Sequence, residues 1–158
     1  MAGVITVVGF TAPELVVGHA VAFGGRSTFL PTSILPQKDV AASGAIPSGG
    51  SAHDLTIGTP GQNARFSFNG HQGQTVSLQL THVQIGPGGQ GDPTCCVYDV
   101  AIIGPDGQPV PGSASGDYTG TGDESLDPRK LPSDGSYSVV VDPHGANTGH
   151  ATVTLLDR

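Results

Sequence analysis

The sequence predicts an all-β protein built as a sandwich of antiparallel strands. Glycine and proline contribute 25 and 13 of the 158 residues, and both residue types are costly inside helices and useful in turns. Short runs of alternating apolar and polar residues recur between turn signals, at the spacing of about 8 to 12 residues that is typical of a sandwich. No stretch longer than about ten residues has the helical period, so we expect no substantial helix.

Residues 1–53 are predicted to form a β-prone N-terminal arm that ends in a linker. The runs at 4–10 and 15–23 are rich in β-branched residues, and Ala12-Pro13 between them marks a turn, so a hairpin is expected. A lone hairpin is only marginally stable in water, so these strands should add to a sheet of their own domain or of a neighbour. The SGAIPSGGS segment at 43–51 is predicted to be a flexible linker.

Residues 54–158 are predicted to form the sandwich itself. The run at 97–103 is apolar on both faces, which predicts a central strand covered on both sides. The sequence Gly104-Pro105-Asp106-Gly107 after it predicts a tight reversal. Residues 112–130 are polar and are predicted to be a surface loop. The remaining predicted strands lie at 64–68, 75–80, 136–141 and 151–156.

Charge and hydropathy exclude two kinds of partner. The formal net charge is -7 and the six Lys and Arg residues are scattered, whereas nucleic-acid binding rests on clustered basic groups. No apolar run approaches the roughly 20 residues that span a bilayer, so membrane insertion is not expected. The N-terminus has no Lys or Arg before its apolar stretch, unlike a secretory signal. Low Lys with high Thr, Ser and Gly content nevertheless favours an extracellular or cell-surface protein, with a virion as the alternative.

Three segments together resemble a known family. They are GTPGQNARFSFNGHQGQTVSLQL (58–80), CCVYDVAIIGPDGQPV (95–110) and LPSDGSYSVVVDPHGANTGHATVTLLD (131–157). In order and spacing they resemble the bacterial pre-peptidase C-terminal (PPC-like) domain, as found in actinobacterial surface and Rhs-type repeat proteins. The resemblance covers residues 54–158. It implies a jelly-roll-like β-sandwich that assists folding, secretion or adhesion and has no catalytic motif; residues 1–53 resemble nothing in this family.

Cys95 and Cys96 are adjacent, and three states are open for them. Consecutive Cα atoms lie about 3.8 Å apart, below the usual span of a disulfide, and in a regular strand the two side chains would point to opposite faces. Two free thiols, a vicinal disulfide at a strand entrance and intermolecular bonds all remain as alternatives. The turn at Asp92-Pro93-Thr94 permits irregular geometry, and the resemblance implies that relatives often carry the same pair.

Metal and cofactor chemistry finds little support. The six histidines lack the spacing of a zinc site and are interpreted as exposed turn residues, although His144 and His150 flank one loop. An acidic loop offers weak candidates for calcium, which prefers six to eight oxygen ligands, but its spacing fits no calcium loop. No other cofactor is expected. The histidines are His19, His53, His71, His82, His144 and His150, and the calcium candidates are Asp117, Asp123, Glu124 and Asp127.

The sequence gives no indication of an enzyme. It contains no G-x-S-x-G nucleophile elbow and no helix on which to build one, and nothing marks the paired carboxylates of a glycosidase. The leading hypothesis is therefore a non-catalytic extracellular binding or adhesion module with a protein or cell-surface partner. Carbohydrate has weak support, because tryptophan is absent and only Tyr118 is expected to be exposed in a loop.

The alternative hypothesis is a self-assembling structural subunit of a filament, a surface layer or a phage coat. Its motivation is the arm at residues 1–53, which has few charges, high β propensity and no core of its own. Such an arm could add a strand to the sheet of another copy through main-chain hydrogen bonds.

Overall fold

The computed structural model describes residues 40–158, apart from the side chain of Asp117, and these residues form nine β-strands. They are β1 (Val40–Ala45), β2 (Gly49–Ile57), β3 (Asn63–Gly70), β4 (Thr75–Pro87), β5 (Cys95–Ile103), β6 (Ser115–Thr119), β7 (Thr121–Lys130), β8 (Gly135–Pro143) and β9 (Asn147–Asp157). The hairpin predicted at 4–10 and 15–23 lies outside the described residues. Within residues 40–158 no helix is long and apolar enough to cross a membrane.

The nine strands form two sheets, which confirms the predicted β-sandwich. One sheet has five strands in the order β1-β3-β8-β5-β6, and the other has four in the order β2-β9-β4-β7. Strand β9 therefore lies between β2 and β4, its partners on either side. All the ladders are antiparallel except that of β1 with β3, which is parallel.

The core follows from the alternation of apolar residues along the strands. In the ladder of β3 with β8, Phe66 lies opposite Val139 and Phe68 lies opposite Tyr137, and all four side chains are buried. Strands β4, β5 and β9 contribute further apolar side chains to the same cluster. Because successive strand residues face opposite sides, this pattern could be predicted from the sequence, and the strands predicted at 64–68, 75–80, 136–141 and 151–156 are confirmed.

Strand β4 is longer than predicted because it continues through an irregularity. The pairing of β4 with β7 shifts between Leu80 and Val83, and His82 has a positive φ of 52°. The His82 backbone N–H donates to Asp123 Oδ1 at 3.1 Å. A bulge of this kind interrupts the alternation without ending the strand.

The prediction of a flexible linker at 43–51 is wrong. This segment contains the end of β1, a corner and the start of β2, and it carries Ile46, whose side chain is 1% exposed in the core. The corner is held by hydrogen bonds from Ile46 N to Ser67 O at 2.8 Å and from Asp157 N to Ser48 O at 3.0 Å. The glycine and serine content of this segment indicates turns, but it does not show that the one isoleucine in the segment is buried in the core and fixes the chain there.

The prediction of a surface loop at 112–130 is also wrong, because β6 and β7 lie within it. Strand β7 occupies the edge of its sheet, and Leu126 is its one buried residue. Charged residues and Pro128 along such an edge prevent pairing with other chains, and they also hide the strand pattern.

Strand β5 is covered mainly on one side rather than on both as predicted. Tyr98, Val100 and Ile102 are fully buried, whereas Ala101 and Ile103 on the other face are only partly buried. The reversal predicted after this strand is confirmed. Gly107 has a φ of 77°, and its N–H donates to Gly104 O at 2.9 Å.

Candidate binding surface at the start of β5

Strand β5 begins with a disulfide between adjacent residues. The sulfurs of Cys95 and Cys96 are bonded across a Cα–Cα distance of 3.7 Å, and both residues are exposed. Cys96 has a φ of 76°, a left-handed conformation that is uncommon for residues other than glycine. The ladder of β5 with β6 passes from Cys95 opposite Thr119 to Tyr98 opposite Tyr118, so two residues of β5 bulge out of register.

The chain before the disulfide is fixed by a turn at Asp92. The Asp92 carboxylate accepts hydrogen bonds from the backbone N–H and the hydroxyl of Thr94, at 2.9 and 2.7 Å. The backbone of Asp92 bonds in turn to Ile85 O and to the N–H of Gly120. The residues that lead into the disulfide are therefore tied to β4 and to the junction of β6 with β7.

The chain after the disulfide is held by the turn between β8 and β9. Val97 O accepts from His144 N at 2.9 Å and from Asn147 Nδ2 at 3.1 Å. The His144 ring also contacts the main chain of the disulfide segment, because Nδ1 lies 2.7 Å from the carbonyl oxygen of Cys96. Loops held by a rigid scaffold in this way commonly carry binding residues.

The other ring nitrogen of His144 faces a carboxylate. Nε2 lies 3.0 Å from Asp99 Oδ2. Burial on its own lowers the pKa of His144, but the hydrogen bonds to Asp99 and Cys96 O and the charges of Asp99 and Asp142 outweigh it, so the pKa is raised. A carbonyl and a carboxylate only accept hydrogen bonds, so the doubly protonated ring satisfies both. Neither nitrogen is then available to take a proton from a substrate.

A second carboxylate lies opposite the first. Asp142 on β8 pairs with Asp99 on β5 in the ladder. Burial raises the pKa of Asp142, the negative charge of Asp99 raises it further, and His144 opposes the shift. With both carboxylates ionised, one imidazolium leaves the group with an excess negative charge. We refer to Cys95, Cys96, Asp99, Asp142 and His144 as the disulfide surface.

Strand β6 approaches this group closely at Gly116. A Cβ atom at Gly116 would collide with the Asp99 carboxylate, and it would lie 3.9 Å from His144 Cε1. No sequence pattern marks this position, because the side chain that a larger residue would displace lies 17 positions earlier in the chain. Asp99, Asp142 and Gly116 could not be predicted from the sequence, because they meet only through the pairing of β5 with β8 and β6, whereas His144 was noted as a loop residue.

Three of the four calcium candidates each contact a different partner, and the side chain of the fourth, Asp117, lies outside the described part of the structure. Asp123 Oδ1 accepts from His82 N, Glu124 Oε1 accepts from the Thr119 hydroxyl at 3.3 Å, and Asp127 lies 3.8 Å from Arg129 Nη2. Among the residues that the structure describes, no group of three or more His, Cys, Asp or Glu side chains is arranged to hold a metal ion. Calcium binding by these residues stays a prediction, which a melting temperature measured with and without EGTA tests.

The histidine and tyrosine predictions have mixed outcomes. His71, His82 and His150 are exposed, although His82 and His150 lie on strands β4 and β9 rather than in turns. His19 lies outside the described residues, and His53 is partly buried on β2. The prediction for Tyr118 is wrong: its side chain is 8% exposed and stacks on Tyr98 with ring centroids 5.3 Å apart.

Comparison with solved structures finds β-sandwich proteins of similar fold. One is the crystal structure of Aeromonas hydrophila PliG, a periplasmic lysozyme inhibitor of g-type lysozyme, with 17% identity, a TM-score of 0.41 and coverage of 75% of this chain and 96% of that one. Its Salmonella Typhimurium counterpart has 18% identity, a TM-score of 0.43 and coverage of 74% and 99%.

A third similar structure is the pre-peptidase C-terminal domain of collagenase from Bacillus anthracis. It has 8% identity and a TM-score of 0.45, and the match covers 74% of this chain and 96% of that one. It represents the family that residues 54–158 resemble in sequence. At these identities the similarity concerns the fold alone. No protein-family model matches the chain, and no curated protein matches it by sequence.

Proposed function

We propose that this chain is a non-catalytic binding module that acts outside the cytoplasm and contacts a protein partner through the disulfide surface. The observation that carries the proposal is the exposed Cys95–Cys96 disulfide, which the turn between β8 and β9 holds in place. Disulfides persist in oxidising compartments, which supports a cell-surface or secreted location. A surface that is already rigid loses little conformational entropy when it binds.

The chemistry of the surface favours binding over catalysis. Both ring nitrogens of His144 already have acceptors, and both cysteines are in the disulfide, so the group offers neither a general base nor a free nucleophile. The excess negative charge around Asp99 and Asp142 suits a partner that presents a basic group.

A protein partner is favoured over a polysaccharide. Sugar recognition uses exposed aromatic rings, but the three tyrosines and both phenylalanines within residues 40–158 are buried. The similar structures belong to a lysozyme inhibitor and to a domain of a collagenase. One fold in such different settings does not select a function, so the proposal rests on the surface itself.

Co-sedimentation of the full chain with isolated bacterial cell walls tests this proposal. We expect the chain to sediment with untreated walls and to remain in solution with walls whose proteins have been removed by protease. Asp142→Asn should weaken binding several-fold, because it removes one charge from the disulfide surface. The matched control is Asp54→Asn, which makes the same charge change on β2 in the other sheet.

Three results would contradict the proposal. One is binding that survives protease treatment, which would indicate a polysaccharide ligand. Another is equal binding by Asp142→Asn and Asp54→Asn, which would place the contact elsewhere. Failure of the intact chain to sediment with untreated walls would also count against a cell-surface partner.

Self-assembly is the second candidate function, and the outer edge of β1 favours it. Strand β1 ends its sheet, and within residues 40–158 no strand pairs with its other edge. Its sequence VAASGA contains neither charge nor proline, the two features with which edge strands usually prevent pairing. Light scattering after size exclusion should find an oligomer that Ser43→Lys dissociates and that Gln108→Lys, in an exposed turn, does not. A monomeric intact chain would exclude this candidate.

A further inference from the structure

We propose that the Cys95–Cys96 disulfide is a dithiol-exchange site in the folded protein, and that its reduction releases the Cys96 carbonyl from His144. A protein or small-molecule dithiol is the class of reductant that the site would take. The inference goes beyond the binding role of the disulfide surface and does not depend on it, because the exchange can be measured with no partner present.

Access is the first requirement for exchange, and the site meets it. A thiolate must reach a disulfide sulfur to attack it, and both cysteines are exposed at the start of β5. The disulfide also lies where the ladder between β5 and β6 is out of register, between Cys95 and Tyr98. The reaction therefore requires no opening of the buried sheet.

Release of the backbone is the second requirement. Cys96 holds a φ of 76°, outside the regions that side-chain-bearing residues usually adopt. The chain on both sides is fixed, by the Asp92 turn before the disulfide and by the hydrogen bonds to Val97 O after it. Opening the eight-membered ring removes the covalent constraint between the two side chains. Cys96 can then return to negative φ, and this rotation turns its carbonyl group.

The rotation reaches His144 because the same carbonyl is its partner. His144 Nδ1 lies 2.7 Å from Cys96 O, while Nε2 stays 3.0 Å from Asp99 Oδ2. The charged groups that face the ring are Asp99 from β5 and Asp142 from β8, and β6 contributes the backbone of Gly116. Loss of the carbonyl acceptor removes one interaction that favours the imidazolium, so the reduced protein should bind the His144 proton less tightly. By linkage, protonation of His144 favours the disulfide.

The reaction is balanced as an ordinary two-electron exchange. A thiolate of the dithiol attacks one sulfur of the pair, the bond between the cysteines breaks, and a mixed disulfide forms. The second thiol of the reductant then attacks the reductant's own sulfur in the mixed disulfide and displaces the cysteine that is still bound there. The products are two cysteine thiols and the oxidised reductant, and the dithiol has supplied both electrons and both protons.

The test uses the full chain with dithiothreitol and no denaturant. After each addition, free thiols are alkylated with iodoacetamide and counted by intact mass, while far-UV circular dichroism follows the fold. NMR titration of the histidine ring protons gives the pKa of His144 in the oxidised and reduced states. We expect both cysteines to be alkylated while the β-sheet signal is unchanged, and we expect the pKa of His144 to be lower after reduction.

Controls separate the local effect from a general loss of structure. His150 is exposed on β9 in the other sheet, so the chemical shifts of its ring protons should be the same in both states. The double variant Cys95→Ser with Cys96→Ser should place His144 at the pKa of the reduced protein. If this variant does not fold, the reduced natural chain still provides the comparison.

Either of two results would overturn the proposal. Alkylation that begins only where circular dichroism reports unfolding would mean that the bond is not accessible to exchange in the folded state. An unchanged His144 titration after complete reduction would mean that the carbonyl does not move.

Discussion

Two buried tyrosines provide a matched test of how a buried hydroxyl group affects stability with and without a hydrogen-bond partner. Tyr98 and Tyr137 both have fully buried side chains, and both stack on an aromatic ring, with centroids 5.3 Å apart for Tyr98 on Tyr118 and 5.4 Å for Tyr137 on Phe68. Their hydroxyl groups differ. Tyr137 OH donates to Ser133 O at 2.7 Å and accepts from Ser133 N at 3.3 Å, whereas Tyr98 OH is buried with no partner among the described residues.

The phenylalanine variants should therefore have opposite effects on the free energy of unfolding. Tyr137→Phe removes the hydrogen bonds of this hydroxyl to the backbone of Ser133 and a longer one to the Ser133 hydroxyl, and a typical hydrogen bond contributes about 1 kcal/mol. Ser133 is exposed, so water can replace the lost partner, and we expect a loss of about 1 to 2 kcal/mol. Tyr98→Phe removes a hydroxyl whose unsatisfied burial costs about 1 to 3 kcal/mol. The small void that remains costs part of this, so we expect the free energy of unfolding of Tyr98→Phe to rise by about 1 kcal/mol.

The assay is urea unfolding at pH 7, followed by far-UV circular dichroism with the disulfide intact. Burial raises the pKa of Tyr98 far above the assay pH, so its phenol stays neutral throughout. The expected gap between the two variants is about 2 to 3 kcal/mol, or roughly 8 to 12 °C in melting temperature at about 4 °C per kcal/mol. Equal destabilisation by both variants would refute the reasoning, because it would mean that the Tyr98 hydroxyl has a partner, such as an ordered water molecule.

Three further predictions address other features. The pKa of His144 is raised in the folded protein, so the stability that His144 contributes is fully present below about pH 6.5 and is lost as pH rises through the folded-state pKa. His144→Gln should remove this dependence of the unfolding free energy on pH between pH 5 and 8. Plots of unfolding free energy against pH that run parallel for the variant and the natural chain would contradict the prediction. Ile46→Ala should cost about 2 to 5 kcal/mol in urea unfolding because the side chain is buried, whereas a loss within about 0.5 kcal/mol would indicate a flexible linker after all. Gly120→Ala should lower the free energy of unfolding by about 3 kcal/mol or more, because the new Cβ would collide with Ile85 O. In the control Gly58→Ala the new Cβ has no atom within 4 Å, so the change should stay within about 0.5 kcal/mol. Similar unfolding midpoints for the two variants would refute the clash.

The strands that could be predicted are those with one face packed on the core, because such packing requires apolar residues at alternate positions. Strand β8 alternates Tyr137, Val139 and Val141 because one face packs on the core, and that rhythm is visible without a structure. Strand β7 could not be predicted in this way, because its edge position accommodates charged residues and Pro128, which interrupt the apolar alternation. Composition alone made it resemble a loop.

The candidate site could be predicted only in part, because its members come together across the sheets. The cysteine pair was visible as an oddity of sequence, with a vicinal disulfide among its open states. The pairing of Asp99 with Asp142 depends on the register of β5 with β8, and the position of His144 depends on the turn that follows β8. Register is a property of two strands together, so neither strand's sequence reveals it.

The central position of β9 has a consequence for how the protein is made. Strands β2 and β4 do not pair with each other, because each pairs with β9 on one of its edges. During synthesis β2 and β4 leave the ribosome well before β9, so their apolar faces stay exposed until β9, which pairs with both, is available. Contacts between distant parts of a chain form slowly, and unpaired edges are prone to aggregation during the delay. The four-stranded sheet should therefore close late, and chaperone binding to the nascent chain should last until β9 has emerged.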